Sequence, residues 1–188
     1  MTNNYAVRIT HDEVPHIFCV TDSQATNHHS KQANVPKLLQ YGHNLVMHAG
    51  RADVIYPVHT MLRKNDVSKK CAQDLAEMIE SEIDALSENI QEEHDPTSFL
   101  VVGKDKKDSK QLVMYDVTFV LCEEHGRELI CKPASNGEYI VGSGSSQVQA
   151  ALDRDKEMGF SEQPTTPLEV LYRLFLVGQK AGTDIHVN

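Results

Sequence analysis

The stretch Ile17-Phe18-Cys19-Val20-Thr21-Asp22-Ser23-Gln24-Ala25-Thr26 decides how this chain reads. An apolar run closes on an aspartate and then on small residues. Upstream, Tyr5, Val7 and Ile9 alternate with Ala6, Arg8 and Thr10, and a period of two predicts a strand. Between the two runs, His11-Asp12-Glu13-Val14-Pro15 is polar and holds a proline, as a hairpin loop does. The quoted stretch is then the return strand of a hairpin, with Asp22 at its end.

Downstream, Asn27 to Asn34 is polar and reads as a loop. Val35 to Gln40 and Asn44 to His48 form a second strand pair, turned by Tyr41-Gly42-His43. Ala49-Gly50 leads into a helix from Ala52 to Arg63. A longer helix is expected from Val67 to Ile90, because Ala72, Leu75, Ala76, Ile79, Ile83, Leu86 and Ile90 recur every three or four residues. Its other face is acidic and reads as solvated. Phe99-Leu100-Val101-Val102 is a buried strand by its unbroken apolar run. Gln111 to Tyr115, Val117 to Leu121, and Glu138 to Val141 are further strands. Gly142-Ser143-Gly144 then precedes a helix from Ser146 to Met158. Thr166-Pro167-Leu168-Glu169 has the pattern of a capping box with proline at the first helical position. The helix it opens is apolar over much of its surface, which suits burial on more than one side, in part by a neighbouring subunit. Asp184 to Asn188 begins a last strand.

The bulk numbers exclude several classes. The 188 residues suit a single domain over 1–188, and 40% hydrophobic with 24% charged residues is a globular composition. A net charge of −9 gives no electrostatic reason to bind nucleic acid or an anionic membrane. No apolar stretch approaches the roughly 20 residues of a membrane span, and Met-Thr-Asn-Asn-Tyr is not a signal peptide. Cys19, Cys71, Cys122 and Cys131 show no close pairing, which reads as reduced thiols in a cytoplasmic protein. A zinc site drawn on Cys122, His125 and Cys131, or on His28 and His29, lacks a fourth ligand at standard spacing. Neither a metal nor a cofactor is expected.

Strands, two helices, strands, two helices and a strand form an α+β order. This order is similar to the four-layer αββα sandwich of the N-terminal-nucleophile hydrolases. Asp22 to Thr26 resembles the corresponding segment of proteasome β-type subunits and of the bacterial protease HslV. Val35-Pro36-Lys37 looks like their Val-Lys-Lys, Ala49-Gly50 like their Ala-Gly, and Gly103-Lys104-Asp105 like their Gly-x-Asp. Val141-Gly142-Ser143-Gly144-Ser145 with Ala151-Leu152-Asp153, and Ala181-Gly182-Thr183-Asp184, resemble two more family segments in the same order.

The resemblance implies a threonine-type endopeptidase. A threonine at the mature N-terminus attacks the peptide carbonyl, and its own α-amine, with an ordinary pKa near 8, is the base. Thr2 is the threonine that removal of Met1 would expose. From Thr2 to Asp22 the chain is a few residues longer than the family spacing, and the His11–His16 hairpin loop is expected to take them up. Carried over by position, Lys37 lies beside the nucleophile, Asp22 pairs with Lys37, and the Gly50 N–H supplies the oxyanion hole. Ser143 and Asp184 complete the shell around the amine. Ala25, Val35, Leu39, His48 and Ala52 fall where the family lines its specificity pocket. Val187 departs from the pattern, since the family has a serine there. The resemblance also implies a homo-oligomeric ring or double ring, peptide or unfolded protein substrates, and a regulatory ATPase as a possible partner. A catalytically silent structural subunit of such a ring is the rival reading, and a retained Met1 would produce it.

Overall fold

A computed structural model of the chain describes residues 4–22, 25–26, 31–32, 35–90, 94–123, 126–134, 137–142, 149–150, 153–154, 166–170, 172 and 185–186. In chain order the elements are β1 (Asn4–His11), β2 (Val14–Asp22), β3 (Ala25–Thr26), β4 (Lys31–Gln32), β5 (Leu38–Tyr41), β6 (Asn44–Ala49), α1 (Ala52–Lys64), α2 (Ala72–Ser87), β7 (His94–Lys104), β8 (Leu112–Cys122), β9 (Gly126–Pro133), β10 (Glu138–Val141) and β11 (Ile185–His186). Two larger antiparallel sheets dominate, so the protein is mixed α+β. Its chain groups into two compact units: a terminal one, Met1–Lys37 with Asn136–Asn188, and a central one, Leu38–Ser135.

The terminal unit carries the sheet β10-β1-β2-β11 and the small hairpin β3-β4. The expected His11–His16 loop is shorter than the sequence suggests. Only Asp12 and Glu13 form the turn, with φ of 50° and 63°, and His11 pairs with Val14 directly. Two positive φ values in a two-residue turn match the right-handed twist of the flanking strands, which lets pairing run to the tip. The added residues therefore lengthen the strands instead of the loop. Pro15 is tolerated inside β2 because β11 reaches only Thr21 and Asp22, so the side of Pro15 facing away from β1 carries no ladder among the described residues. Tyr5, Val7, Ile9, Val20 and Val170 form the core of this unit, with Phe18 and Ile140 against it. Thr166 Oγ1 accepts from the Glu169 N–H and the Glu169 carboxylate accepts from the Thr166 N–H, at 3.2 and 3.1 Å, which is the expected capping box. Val170 is buried, whereas Leu168 and Tyr172 are exposed.

The central unit carries the sheet β5-β6-β7-β8-β9 with α1 and α2 against one face. Paired registers put Leu39, Val46 and Val101 on the helix side, where they meet Val54, Val58, Leu62, Leu75, Ile79 and Ile83. Burying each of these large side chains stabilises the fold by roughly 1.5–3 kcal/mol. On the opposite face Met47, Leu100 and Val102 are buried too, which explains the unbroken apolar run at Phe99–Val102.

Several boundaries differ from the sequence reading. The second helix starts at Ala72, not Val67. Cys71 caps it in a capping box with Asp74, while Asp66 holds a turn at Ser68. β5, expected from Val35, starts at Leu38, and Pro36 has no N–H for a ladder. Gln111–Tyr115 and Val117–Leu121 are one strand, β8. Two elements escaped the sequence reading altogether. β9 carries charge on both of its faces, and β3-β4 falls inside the polar run after Asp22.

Candidate functional site

Four strand ends meet at one end of the terminal sheet. Asn4, the first residue of β1, pairs with Thr21 on one side and with Val141 on the other. Asp22, the last residue of β2, pairs with Ile185 at the start of β11. Thr2, Ser143 and Asp184 lie outside the described residues. Of the described residues nearest them in sequence, Asn4 pairs with Val141, which precedes Gly142, and Ile185 pairs with Asp22. Thr21 Oγ1 donates to Asn4 Oδ1 at 2.5 Å, and both side chains are buried, which locks the first residue of β1 to the end of β2. Tyr5 donates to Glu138 at 2.8 Å and ties β1 to β10 in the same way.

Lys37 is 4% exposed, although a lone lysine belongs on a surface. A buried ammonium is stable only beside counter-charge or acceptors. Val35 is half-buried just before it. Ala25 pairs with Gln32 in the β3-β4 hairpin.

In the central unit the chain leaves β6 through Gly50 and enters α1 at Ala52. Gly50 has φ of 120°, which favours glycine, and a Cβ there would stand 2.6 Å from the Thr97 backbone. The Arg51 N–H donates to Thr97 Oγ1 at 3.1 Å, so β7 clamps this turn. Arg51 and Asp53 form a two-pronged ion pair at 2.9 and 2.6 Å across the first turn of the helix. Ala52 is exposed, and Tyr56 one turn further on is 65% exposed.

His48 is 7% exposed and faces inward. Its Nδ1 lies 2.8 Å from His59 Nε2, and His59 Nδ1 lies 2.7 Å from the Tyr41 hydroxyl. Phe99 packs against both imidazole rings. Burial, helped by the Arg63 charge, pushes His59 down to about 4, and burial raises the Tyr41 hydroxyl. Leu39 shares the helix-facing side of the sheet and lines a surface pocket of about 360 Å³ with Tyr41, Leu62, Arg63, Asp66 and Ser68.

Sequence reasoning missed Thr97, His59 and Tyr56. Thr97 can be found only from the strand register that sets Ala49 against Ser98. His59 left a trace, since the apolar positions Val54, Ile55, Val58 and Leu62 set it on the buried side of the helix. Cys122 and Cys131 are split along the β8-β9 ladder, where Cys122 pairs with Gly126 and Cys131 with Val117. No three potential ligands cluster around a metal-sized gap among the described residues. No helix among them is long and apolar enough to cross a membrane.

No family model matches the sequence, and no curated protein matches it. The fold is similar to that of solved Anbu structures. The Gly-1 mutant of Anbu from Hyphomicrobium sp. strain MC1 matches with a TM-score of 0.64 and 12% identity, over 100% of this chain and 81% of its own. Anbu from Yersinia bercovieri, described as an ancestral β-subunit, matches with a TM-score of 0.64 and 13% identity, over 95% of this chain and 73% of its own. These findings correct the assignment drawn from the motifs. Short runs such as Asp22–Thr26 and Gly142–Ser145 do not make the chain a proteasome β-type or HslV subunit. The likeness is a distant one, of fold, to Anbu.

Proposed function

We propose that the chain is a threonine-type peptidase subunit of a proteasome-like, self-compartmentalising assembly, with Thr2 as nucleophile once Met1 is removed. The observation that supports this best is the meeting of strand ends at Asn4, Thr21-Asp22, Val141-Gly142 and Ile185. These ends adjoin Thr2, Ser143 and Asp184, which the sequence separates widely.

In the proposed mechanism the free α-amine of Thr2 takes the proton of its own hydroxyl as that oxygen attacks the peptide carbonyl. Buried Lys37 supplies a positive charge that favours the alkoxide, and Asp22 holds the ammonium in place. The Gly50 N–H donates to the carbonyl oxygen as it gains charge, and the rigid turn on Thr97 spares the cost of reorganising it. Ser143 and Asp184 orient the amine. The protonated amine then returns its proton to the leaving peptide nitrogen, and water hydrolyses the acyl ester. Ala25, Val35, Leu39, His48 and Ala52, with exposed Tyr56 added, form the substrate-binding set. The four-layer αββα sandwich is the packing this reading implies.

The exposed pair Leu168 and Tyr172 supports assembly into a homo-oligomeric ring, since the same short helix has Val170 buried on its other side. Four free cysteines suit the cytoplasm. A regulatory ATPase belongs to the proposal as a possible partner.

Intact-mass measurement and a Thr2→Ala variant test the reading together. The expected result is loss of Met1 and loss of peptide cleavage in the variant by at least three orders of magnitude. Retained Met1, or undiminished cleavage by the variant, would overturn it. Retained Met1 in a ring would establish the silent structural subunit instead.

A further inference from the structure

The Tyr41–His59–His48 chain lies in the core of the central unit, and of its members only His48 has a role in the proposed function. It joins three elements: Tyr41 is on β5, His59 is in the middle of α1, and His48 is near the end of β6. The first turn of that helix and the last residues of that strand flank Gly50. The helix has no side-chain cap at Arg51, and Pro57 removes the backbone bond it would otherwise give to Asp53. The first half of α1 therefore depends on side-chain links to the sheet more than an ordinary helix does.

The direction of the chain follows from its surroundings. The Arg63 guanidinium lies beside the Tyr41 hydroxyl and donates to its oxygen, which leaves the hydroxyl hydrogen for another partner. The Tyr41 hydrogen then points to His59 Nδ1, His59 donates from Nε2, and His48 Nδ1 accepts. This arrangement uses neutral imidazoles. The groups facing His59 are Tyr41 from β5, His48 from β6, Arg63 from its own helix, and uncharged Phe99 from β7. No carboxylate is among these neighbours to compensate an added proton. A cation on His59 would stand buried against Arg63, which is costly.

We propose that His59 is a positioning residue that holds the Gly50–Arg51 turn in place through His48, and that acid loosens this hold. The inference deepens the proposed function, because the turn matters to catalysis only if Gly50 serves the oxyanion. Its physical content stands apart from that reading. The Arg51 N–H, bonded to Thr97 Oγ1, reports directly on whether the turn is closed.

The test is amide hydrogen exchange on the full chain, without substrate, read as the protection ratio of the Arg51 amide, its intrinsic over its observed exchange rate. In the wild type this ratio is expected to fall at least tenfold between pH 7 and pH 4.5. His59→Leu should show the low ratio already at pH 7. His59→Gln, which keeps one donor and one acceptor but does not titrate, should keep a high ratio across the whole range. If His59→Gln retains the wild-type pH dependence, or if the wild-type ratio is flat, the proposal is overturned. Because exchange needs no turnover, an inactive enzyme with this pattern would sink the peptidase reading and leave the latch standing.

Discussion

Individual residues make the sharpest demands. Asp12 and Glu13 both sit at positive φ without being glycine, which is strained for glutamate especially. Glu13→Gly should therefore stabilise the protein by about 0.5–1 kcal/mol in urea titration, against the usual cost of adding glycine. Gly103 makes the opposite point. A Cβ there would stand 1.9 Å from Oδ1 of buried Asn44, whose amide group donates to the Lys70 carbonyl at 2.9 Å. Gly103→Ala should cost roughly 1–3 kcal/mol by the same measurement. His59 predicts a pH effect of definite sign. Its folded value of about 4 lies below the ordinary 6.5, so the unfolded chain takes the proton first. The stability it contributes is full above pH 6.5, declines as pH falls, and is gone below about 4. The loss is at most about 3 kcal/mol, and a His59→Gln variant should lack it. Gly50 and Lys37 were legible in the sequence as candidates; Thr97 was not, because its role depends on which strand lies opposite, and His59 left only its place on the buried side of α1.

At the scale of elements, periodicity succeeded where one face meets a core. Ala72, Leu75, Ala76, Ile79 and Ile83 are all fully buried, as their spacing predicts. The start of that helix was misread because Val67 continues the apolar pattern while Asp66 and Cys71 divert the backbone. A sulfur is an unusual N-cap, and its bond from the Asp74 N–H is long at 3.5 Å. Cys71→Ser should keep or improve the cap, whereas Cys71→Ala should cost about 0.5–2 kcal/mol, read by thermal unfolding. β9 was missed because Arg127, Glu128 and Lys132 blur its alternation, and as an edge strand it has only partial burial to enforce a pattern. Arg127 gains a partner that no local pattern shows, reaching Asp84 at the end of α2.

The whole molecule divides its labour unevenly along the chain. The central unit is continuous in sequence, while the terminal unit needs both ends of the chain to meet, as in the β1-β10 pairing of Ala6 with Tyr139. Closing so long a loop delays that pairing. In pulse-labelled refolding, Val101 and Val117 should be protected before Ala6 and Tyr139; simultaneous protection would contradict this. The same division explains what the sequence could show. Hairpins such as β1-β2 and β5-β6 are local, and their turns and alternation are visible in a single segment. The convergence of β1, β2, β10 and β11 is not, and it was reached only through resemblance of short runs. That route arrived at the right mixed α+β class and the wrong relatives.

The edge strand β9 bears on how the protein behaves when crowded. Leu129-Ile130-Cys131 is a short sticky core on an open ladder, with β8 as its one partner among the described residues. Arg127 and Glu128 fence it on one side, Lys132 and Pro133 on the other. Charges and a proline at those places discourage a second molecule from adding its own strand. Placed so, these four residues suit the role of gatekeepers against fibrous self-association, a hazard that grows with the local concentration of identical chains.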